Sequence, residues 1–250
     1  MIGRLMLYLF NFYFYTLFLL CVIVLIPLFT IFVAVTRVFS THRNTMRRFR
    51  RAMVWWGRVV SALPYPFIKI RYELDGANDV SKPYIFICNH RSATDAFLMK
   101  VLPHEFVEIV NDWPFKIPVL GFYAKFAAFL DIRNMTHEQF VEIASRLLQE
   151  GVSIVFFPEG TRSRDRNMGN FHSAAFRLAL ETGTSLIPVC MTGNEIVMPK
   201  GSSLLRPGTI RVRQLPPLEW ENISGMTPFA LKRRVWDMMK RELSVMEGDA

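Results

Sequence analysis

No aspartate or glutamate occurs before Glu73. Up to that point the chain carries ten cations: Arg4, Arg37, Arg43, Arg47, Arg48, Arg50, Arg51, Arg58, Lys69 and Arg71. Of the 30 basic residues the other 20 are set against 21 acidic ones, so the net +9 belongs to the N-terminal quarter. An evenly basic chain would suggest nucleic acid. A basic cluster beside an apolar run suits anionic lipid headgroups instead, and no nucleic-acid partner is expected. Charge of either sign is absent from Leu5 to Thr36, 32 residues in all. About 20 apolar residues suffice to cross a bilayer. A cleaved signal peptide needs a short apolar core and a small-residue cleavage site. This run is too long for that, and "RVFSTHRNTMRRFRR" follows it. It is therefore read as a membrane anchor, with the basic side cytoplasmic. Pro27 and the polar Asn11 leave two arrangements open, one straight span or a re-entrant pair of helices.

Cysteine is scarce too. Cys21, Cys88 and Cys190 lie far apart, with no C-x-x-C and no metal-ligand spacing. That excludes a disulfide framework and gives no reason to expect a metal; the three read as small apolar residues of a reduced compartment. No G-x-S-x-G is present, so the strained elbow that exposes a serine nucleophile is missing. Ser92 and Thr94 read as caps at a helix start.

Against these absences stand two domains. Residues 1–63 hold the apolar segment and then "RNTMRRFRRAMVWWGRVVSAL", which alternates arginine with Met, Phe, Val and Trp at helical spacing. Such a helix lies in the membrane interface, with Trp55 and Trp56 at headgroup level. Residues 64–250 change character. Short β-branched and aromatic runs are expected as strands over 67–74, 84–88, 106–110, 153–157, 185–191 and 209–215. Helices are expected over 94–101, 119–129, 137–149, 174–182 and 228–245. "THEQ" from Thr136 reads as a capping box for the third helix. The alternation predicts an α/β domain with a mixed, largely parallel sheet flanked by helices. Ligands of such sheets sit beyond the carboxyl ends of strands.

Two strand ends are rich in polar groups. "YIFIC" runs into "NHRSATD", and "SIVFF" runs into "PEGTRSRD". His90 and Asp95 stand five positions apart across a strand-to-helix turn. A carboxylate folded back on the imidazole would fix its tautomer and leave the other ring nitrogen basic, the arrangement of a general base. The spacing alone is weak, because His137 and Glu142 share it on a helix, where a solvated pair is the ordinary reading. In the second segment Gly160 and Thr161 turn the chain and Arg162 projects, a side chain suited to forked binding of phosphate oxygens. Glu159 would order that arginine or accept from an acceptor hydroxyl. Arg133, at the strand-like end "FLDIR", is a further phosphate candidate.

Together these residues resemble the glycerolipid acyltransferases, and within them the 1-acylglycerol-3-phosphate acyltransferases. The resemblance rests on four blocks in order over roughly residues 65–215. They are the H-x4-D of "NHRSATD"; a looser K-x-x-P-x-x-G … D-x-R at Lys116, Pro118, Gly121, Asp131 and Arg133; F-P-E-G-T-R-S complete at Phe157–Ser163; and "LIPV" at Leu186–Val189. The resemblance implies an O-acyltransferase of phospholipid biosynthesis that moves a fatty acyl group from acyl-CoA or acyl-ACP to the free hydroxyl of lysophosphatidate, giving phosphatidate. His90 would be the base, Asp95 its orienter, and Arg162 with Glu159, Gly160, Thr161 and Arg133 the acceptor site. The acyl thioester is a co-substrate, and no cofactor is implied. The chain departs from the family at "FHSAAF", where His172, Ser173 and Ala174 stand in place of a Lys-Lys-Gly or Lys-Arg-Gly. That puts the acceptor headgroup in question, so another lyso-lipid stays open as acceptor. A thioesterase or lipase would need the absent elbow. A non-enzymatic membrane adaptor would leave both polar blocks unused.

Overall fold

The computed structural model describes residues 2–74, 79–110, 130–131, 135–163 and 166–248. They gather into two compact units. One comprises Met1–Ile70, Ser92–Leu102 and Gly193–Ile210; the other comprises Arg71–Arg91, Pro103–Thr192 and Arg211–Ala250.

The second unit is built on the sheet. In chain order the strands are β1 (Ile68–Leu74), β2 (Ile85–Cys88), β3 (Phe106–Val110), β4 (Leu130–Asp131), β5 (Ser153–Phe156), β6 (Leu186–Thr192) and β7 (Gly208–Gln214). Their spatial order is β1-β7-β6-β2-β5-β3-β4. β2 runs parallel to both β5 and β6, β3 runs parallel to β5 and β4, and β7 lies antiparallel to β6. The sheet is thus mixed and mostly parallel, as the alternating pattern predicts. Its central strands are buried on both faces, which is why they read as unbroken apolar runs.

Helices α4 (His137–Gln149), α5 (Ala174–Thr182) and α7 (Pro228–Gly248) belong to this unit. The Thr136 capping box is present, with Thr136 Oγ1 taking the Gln139 N–H and the Gln139 side chain taking the Thr136 N–H. α7 buries Leu231, Val235, Met239, Leu243 and Met246 at helical spacing, into a core with Ile85, Ile87, Ile154, Phe156, Phe176 and Leu186. An ion-pair cluster adds to this seat, with Arg213 meeting Glu73 and Glu242.

The first unit holds the apolar segment as one helix, α1 (Ile2–Phe39), long and apolar enough to cross a membrane. Ser40 and Thr41 turn the chain into α2 (His42–Ala62), with Thr41 as N-cap. α2 runs back along α1: Phe29 meets Trp55 and, nearer the start of α1, Phe18 meets Trp56. Trp55 is half exposed, whereas Trp56 also meets Phe97. Asn11 is buried. Its amide donates to Leu205 O at 2.8 Å and accepts from Leu205 N at 2.7 Å, which explains a polar residue in an apolar run. The rest of this unit is α3 (Asp95–Leu98), followed by a 3₁₀ turn over Met99–Val101, and α6 (Asn194–Val197) with the loop after it. A full helix over 94–101 does not form; its second half tightens into that 3₁₀ turn. The helix expected over 119–129 lies outside the described residues.

Candidate active site

β2 and β5 are parallel neighbours, so their carboxyl ends emerge together. The chain then crosses from β5 past β2 to β6, which makes this edge a topological switch point. Asn89 is the first residue past β2. Its Nδ2 donates to Met191 O at 2.9 Å and its Oδ1 accepts from Met191 N at 2.8 Å. The side-chain amide thereby extends the β2–β6 ladder beyond Cys88. Next comes His90, whose main chain is gripped from both sides by the loop after β5. Its N–H donates to Glu159 Oε1 at 2.7 Å, and its carbonyl accepts from Ser163 N–H at 2.9 Å. The His90 ring lies 4.7 Å from the Phe157 ring, centroid to centroid. Arg91 points elsewhere, to Glu247 on α7.

Glu159 is almost fully buried, and each carboxylate oxygen takes a main-chain donor, His90 N–H on one side and Gly169 N–H at 2.7 Å on the other. Gly169 is held in turn by Trp236 of α7, whose indole N–H donates to Gly169 O at 2.9 Å. Glu159 therefore ties two loops together. Burial pushes its carboxyl up from the ordinary glutamate range, against the opposing pull of the Gly169 and His90 N–H groups. A raised folded-state value means that the folded chain holds the proton longer than the unfolded one. This residue's contribution to stability is then fullest below the ordinary carboxyl value of about 4.3 and falls as pH rises through the raised value. Comparing wild type with Glu159→Gln by chemical unfolding across that window, the wild type is expected to lose stability with rising pH relative to the variant. Parallel curves would contradict it.

Gly160 turns the chain at φ 68°, and a Cβ there would sit 3.2 Å from His172 Cδ2 and Nε2. Glycine is required for that backbone, and it lets the imidazole edge of His172 rest on the turn. His172 is itself tied by its N–H to Pro158 O at 2.8 Å. Thr161 is exposed and Arg162 half-buried on the same turn.

The chain passes into the first unit between Arg91 and Ser92. There Asp95 is fully buried. Its Oδ2 accepts the Ser92 N–H at 2.9 Å, and its Oδ1 accepts Asn194 Nδ2 at 2.6 Å. Ser92 Oγ donates to Met198 O at 3.0 Å and lies 3.1 Å from Thr94 Oγ1. Ser92 Oγ also accepts the Thr94 N–H at 3.3 Å, a local bond of a helix start, whereas Thr94, at the N-cap position of α3, makes no side-chain capping bond, so the capping reading does not hold for Thr94. Of the remaining candidates, Arg133, Lys116, Pro118 and Gly121 lie outside the described residues. His137 meets Glu181 at 3.7 Å, both half exposed, an ordinary surface pair. Cys88 and Cys190 are fully buried, and burial pushes the Cys190 thiol far above its usual range. Asn89 and Asn194 were not foreseen as site residues. Their position just past the carboxyl ends of β2 and β6 was the available signal.

Residues 69–192, from β1 to the end of β6 and spanning both polar blocks, match the family model "Acyltransferase". The chain carries an acyltransferase-family domain. Among its relatives is the Arabidopsis thaliana chloroplastic 1-acyl-sn-glycerol-3-phosphate acyltransferase LPAT1, 32% identical over 70% of this chain and 49% of that protein. A Limnanthes douglasii 1-acyl-sn-glycerol-3-phosphate acyltransferase is 29% identical over 80% of this chain and 76% of its own length. The chain spans about half the length of the chloroplast relatives it matches. The fold is that of the Thermotoga maritima 1-acyl-sn-glycerophosphate acyltransferase PlsC. The two share 21% identity with a TM-score of 0.78, over 98% of this chain and 97% of PlsC. Within the acyltransferase domain the H-x4-D and P-E-G-T-R-S blocks are not independent, because the His90 main chain is bonded to the Glu159 carboxylate and to the Ser163 N–H.

Proposed function

We propose that the protein transfers a fatty acyl group from acyl-CoA or acyl-ACP to the free hydroxyl of 1-acylglycerol-3-phosphate, giving phosphatidate. One observation supports this most: the loop carrying Arg162 holds both main-chain polar groups of His90. The group expected to take the hydroxyl proton and the cation expected to hold the acceptor phosphate thus share one rigid frame. The names of the relatives point to the same acceptor.

In this reading His90 removes the hydroxyl proton as the oxygen attacks the thioester carbonyl, a contribution of about 10²–10⁴ in rate. Asp95, held by Ser92 N–H and Asn194 Nδ2, orients the imidazole. The C–O bond forms as the C–S bond breaks, and the thiolate leaves carrying the electron pair. The proton taken by His90 passes to that sulfur, which regenerates the neutral base. The thioester is already activated, so neither an acyl-enzyme nor a metal is required. Main-chain N–H groups near the turn would meet the developing oxyanion. Thr161 and Arg162, on the turn that Gly160 permits and Glu159 secures, bind the phosphate; Arg133 assists.

Residues 1–63 keep the catalytic domain, 64–250, at the lipid surface where acceptor and product reside. The apolar segment is one continuous helix and not a re-entrant pair, and α2 runs antiparallel to it. Lying along α1, α2 carries Arg43, Arg47, Arg48, Arg50, Arg51 and Arg58, and arginine in hydrocarbon is costly. Those arginines suit anionic headgroups of the cytoplasmic leaflet.

Labelled acyl-CoA or acyl-ACP with lysophosphatidate, other lyso-lipids or no acceptor tests the activity directly. Phosphatidate from lysophosphatidate is the expected product. Fatty acid released equally fast without acceptor would make the protein a hydrolase. Arg162→Ala is expected to raise KM for lysophosphatidate by about tenfold or more, with the donor KM unchanged. An effect on the donor alone would remove Arg162 from the acceptor site. A second reading, with another lyso-lipid as acceptor, is favoured by His172, which rests against the Gly160 turn and supplies no permanent positive charge there.

A further inference from the structure

We infer that Asn194 is the positioning residue of the acid in the H-x4-D block: it aims the Asp95 carboxylate and keeps it supplied with a hydrogen-bond donor. The inference rests on the proposed roles of His90 and Asp95, and it extends the site to the segment after β6, outside the blocks that carry the family resemblance.

The geometry is specific. Asn194 and Asp95 are both fully buried, and Asn194 Nδ2 stands 2.6 Å from Asp95 Oδ1. The other end of the amide, Asn194 Oδ1, is buried with no hydrogen-bond partner among the described residues. A buried amide normally satisfies both ends. Turning this one over would set its carbonyl oxygen against a carboxylate, two acceptors facing each other. The chain leaves an oxygen unsatisfied in order to hold a donor on Asp95, which a residue kept only for packing would not need.

The backbone is built to deliver that donor. Gly193 adopts φ 82°, and a Cβ there would fall 2.1 Å from Thr209 O, so only glycine lets the chain turn at that point. Asn194 then opens α6, closed by Val197 N–H to Gly193 O at 3.0 Å and Met198 N–H to Asn194 O at 2.9 Å. At the other end of this short turn Met198 O accepts from Ser92 Oγ. The segment 193–198 therefore grips the 92–95 turn twice, once at the acid and once three residues before it.

An ionised carboxylate is favoured by the donors it accepts from. The test compares Asn194→Ala, Asn194→Asp and His90→Ala with wild type in kcat, both KM values, the pH profile of kcat/KM and thermal unfolding. Asn194→Ala is expected to lower kcat about tenfold or more while both KM values hold. Asn194→Asp keeps the shape but sets a second carboxyl against Asp95; the pair holds one proton at low pH, and once that proton is lost the added negative charge raises the basicity of the imidazole that Asp95 is proposed to orient. The acid limb of its profile is expected to move up by about one pH unit or more. The other charged groups on the elements around the turn are His90, Arg91, Lys100, Glu195, Lys200, Arg206 and the arginines of α2, common to wild type and variant. The shift therefore reports the new carboxyl. Wild-type kcat in Asn194→Ala, or a lowered Tm with an unmoved acid limb in Asn194→Asp, would overturn the inference. Activity surviving in His90→Ala would instead overturn the reading on which it rests. If Asn194→Ala fails to fold, the isosteric Asp variant alone decides.

Discussion

Replacing His90 by alanine is expected to remove acyl transfer while leaving the fold in place. The reasoning separates the ring from the main chain. The bonds that tie His90 to Glu159 and Ser163 are main-chain bonds on the histidine side, and alanine keeps both. The structural loss includes the ring contact with Phe157, worth about 1 kcal/mol. Chemically, the acceptor hydroxyl loses the group expected to take its proton, a deficit of about 10²–10⁴ in kcat. The check is paired: labelled transfer and thermal unfolding on one detergent preparation of each protein. A near-normal Tm with no transfer is the expected pair. Transfer at the wild-type rate would remove His90 from the mechanism.

Asn89→Leu should behave in the opposite way, as a failure of structure. Leucine has a similar size but cannot meet Met191. Both main-chain groups of Met191 that Asn89 now satisfies would be left unpaired in a buried setting. Each costs about 1–3 kcal/mol, so the variant is expected to lose roughly 3 kcal/mol or more. In a chain of this size that is roughly 6–12 °C in Tm. Activity measured well below the transition should fall less than in His90→Ala. An unchanged Tm would mean that the amide ladder beyond Cys88 adds nothing to stability.

These two neighbours show what the sequence discloses and what it withholds. His90 stood out because a titratable ring followed an apolar run and had a carboxylate at a useful spacing. Asn89, one residue earlier, carries no such mark, because its importance comes from Met191, which only the β2–β6 pairing brings alongside. The same holds for Asn194. Beyond its place just after a strand nothing local distinguishes "TGNE", and its bond to Asp95 joins residues far apart in the chain. The strands were legible because buried parallel strands are written as continuous apolar runs, and α4 and α5 because capping and amphipathic spacing are local. The stretch after Thr94 promised a longer helix than forms, since local propensity does not report where a 3₁₀ turn takes over. The sequence offers Glu159 as a partner that orders Arg162 or accepts from a substrate hydroxyl; it does not show that its two oxygens take the His90 and Gly169 N–H groups. Sequence gives the charge of a loop, but not which of its groups are already occupied.

The pairing of Asn11 with Leu205 has a consequence for how the protein is made. A lone asparagine amide in hydrocarbon is a heavy burden, and here, beyond one bond to Leu7 O of its own helix, it is relieved by the loop that also follows Asn194. The apolar helix is therefore complete only when a segment synthesised almost two hundred residues later has arrived beneath it. Biogenesis must be order-dependent: the nascent helix waits at the bilayer with one polar group uncovered, and the maturing domain supplies the cover.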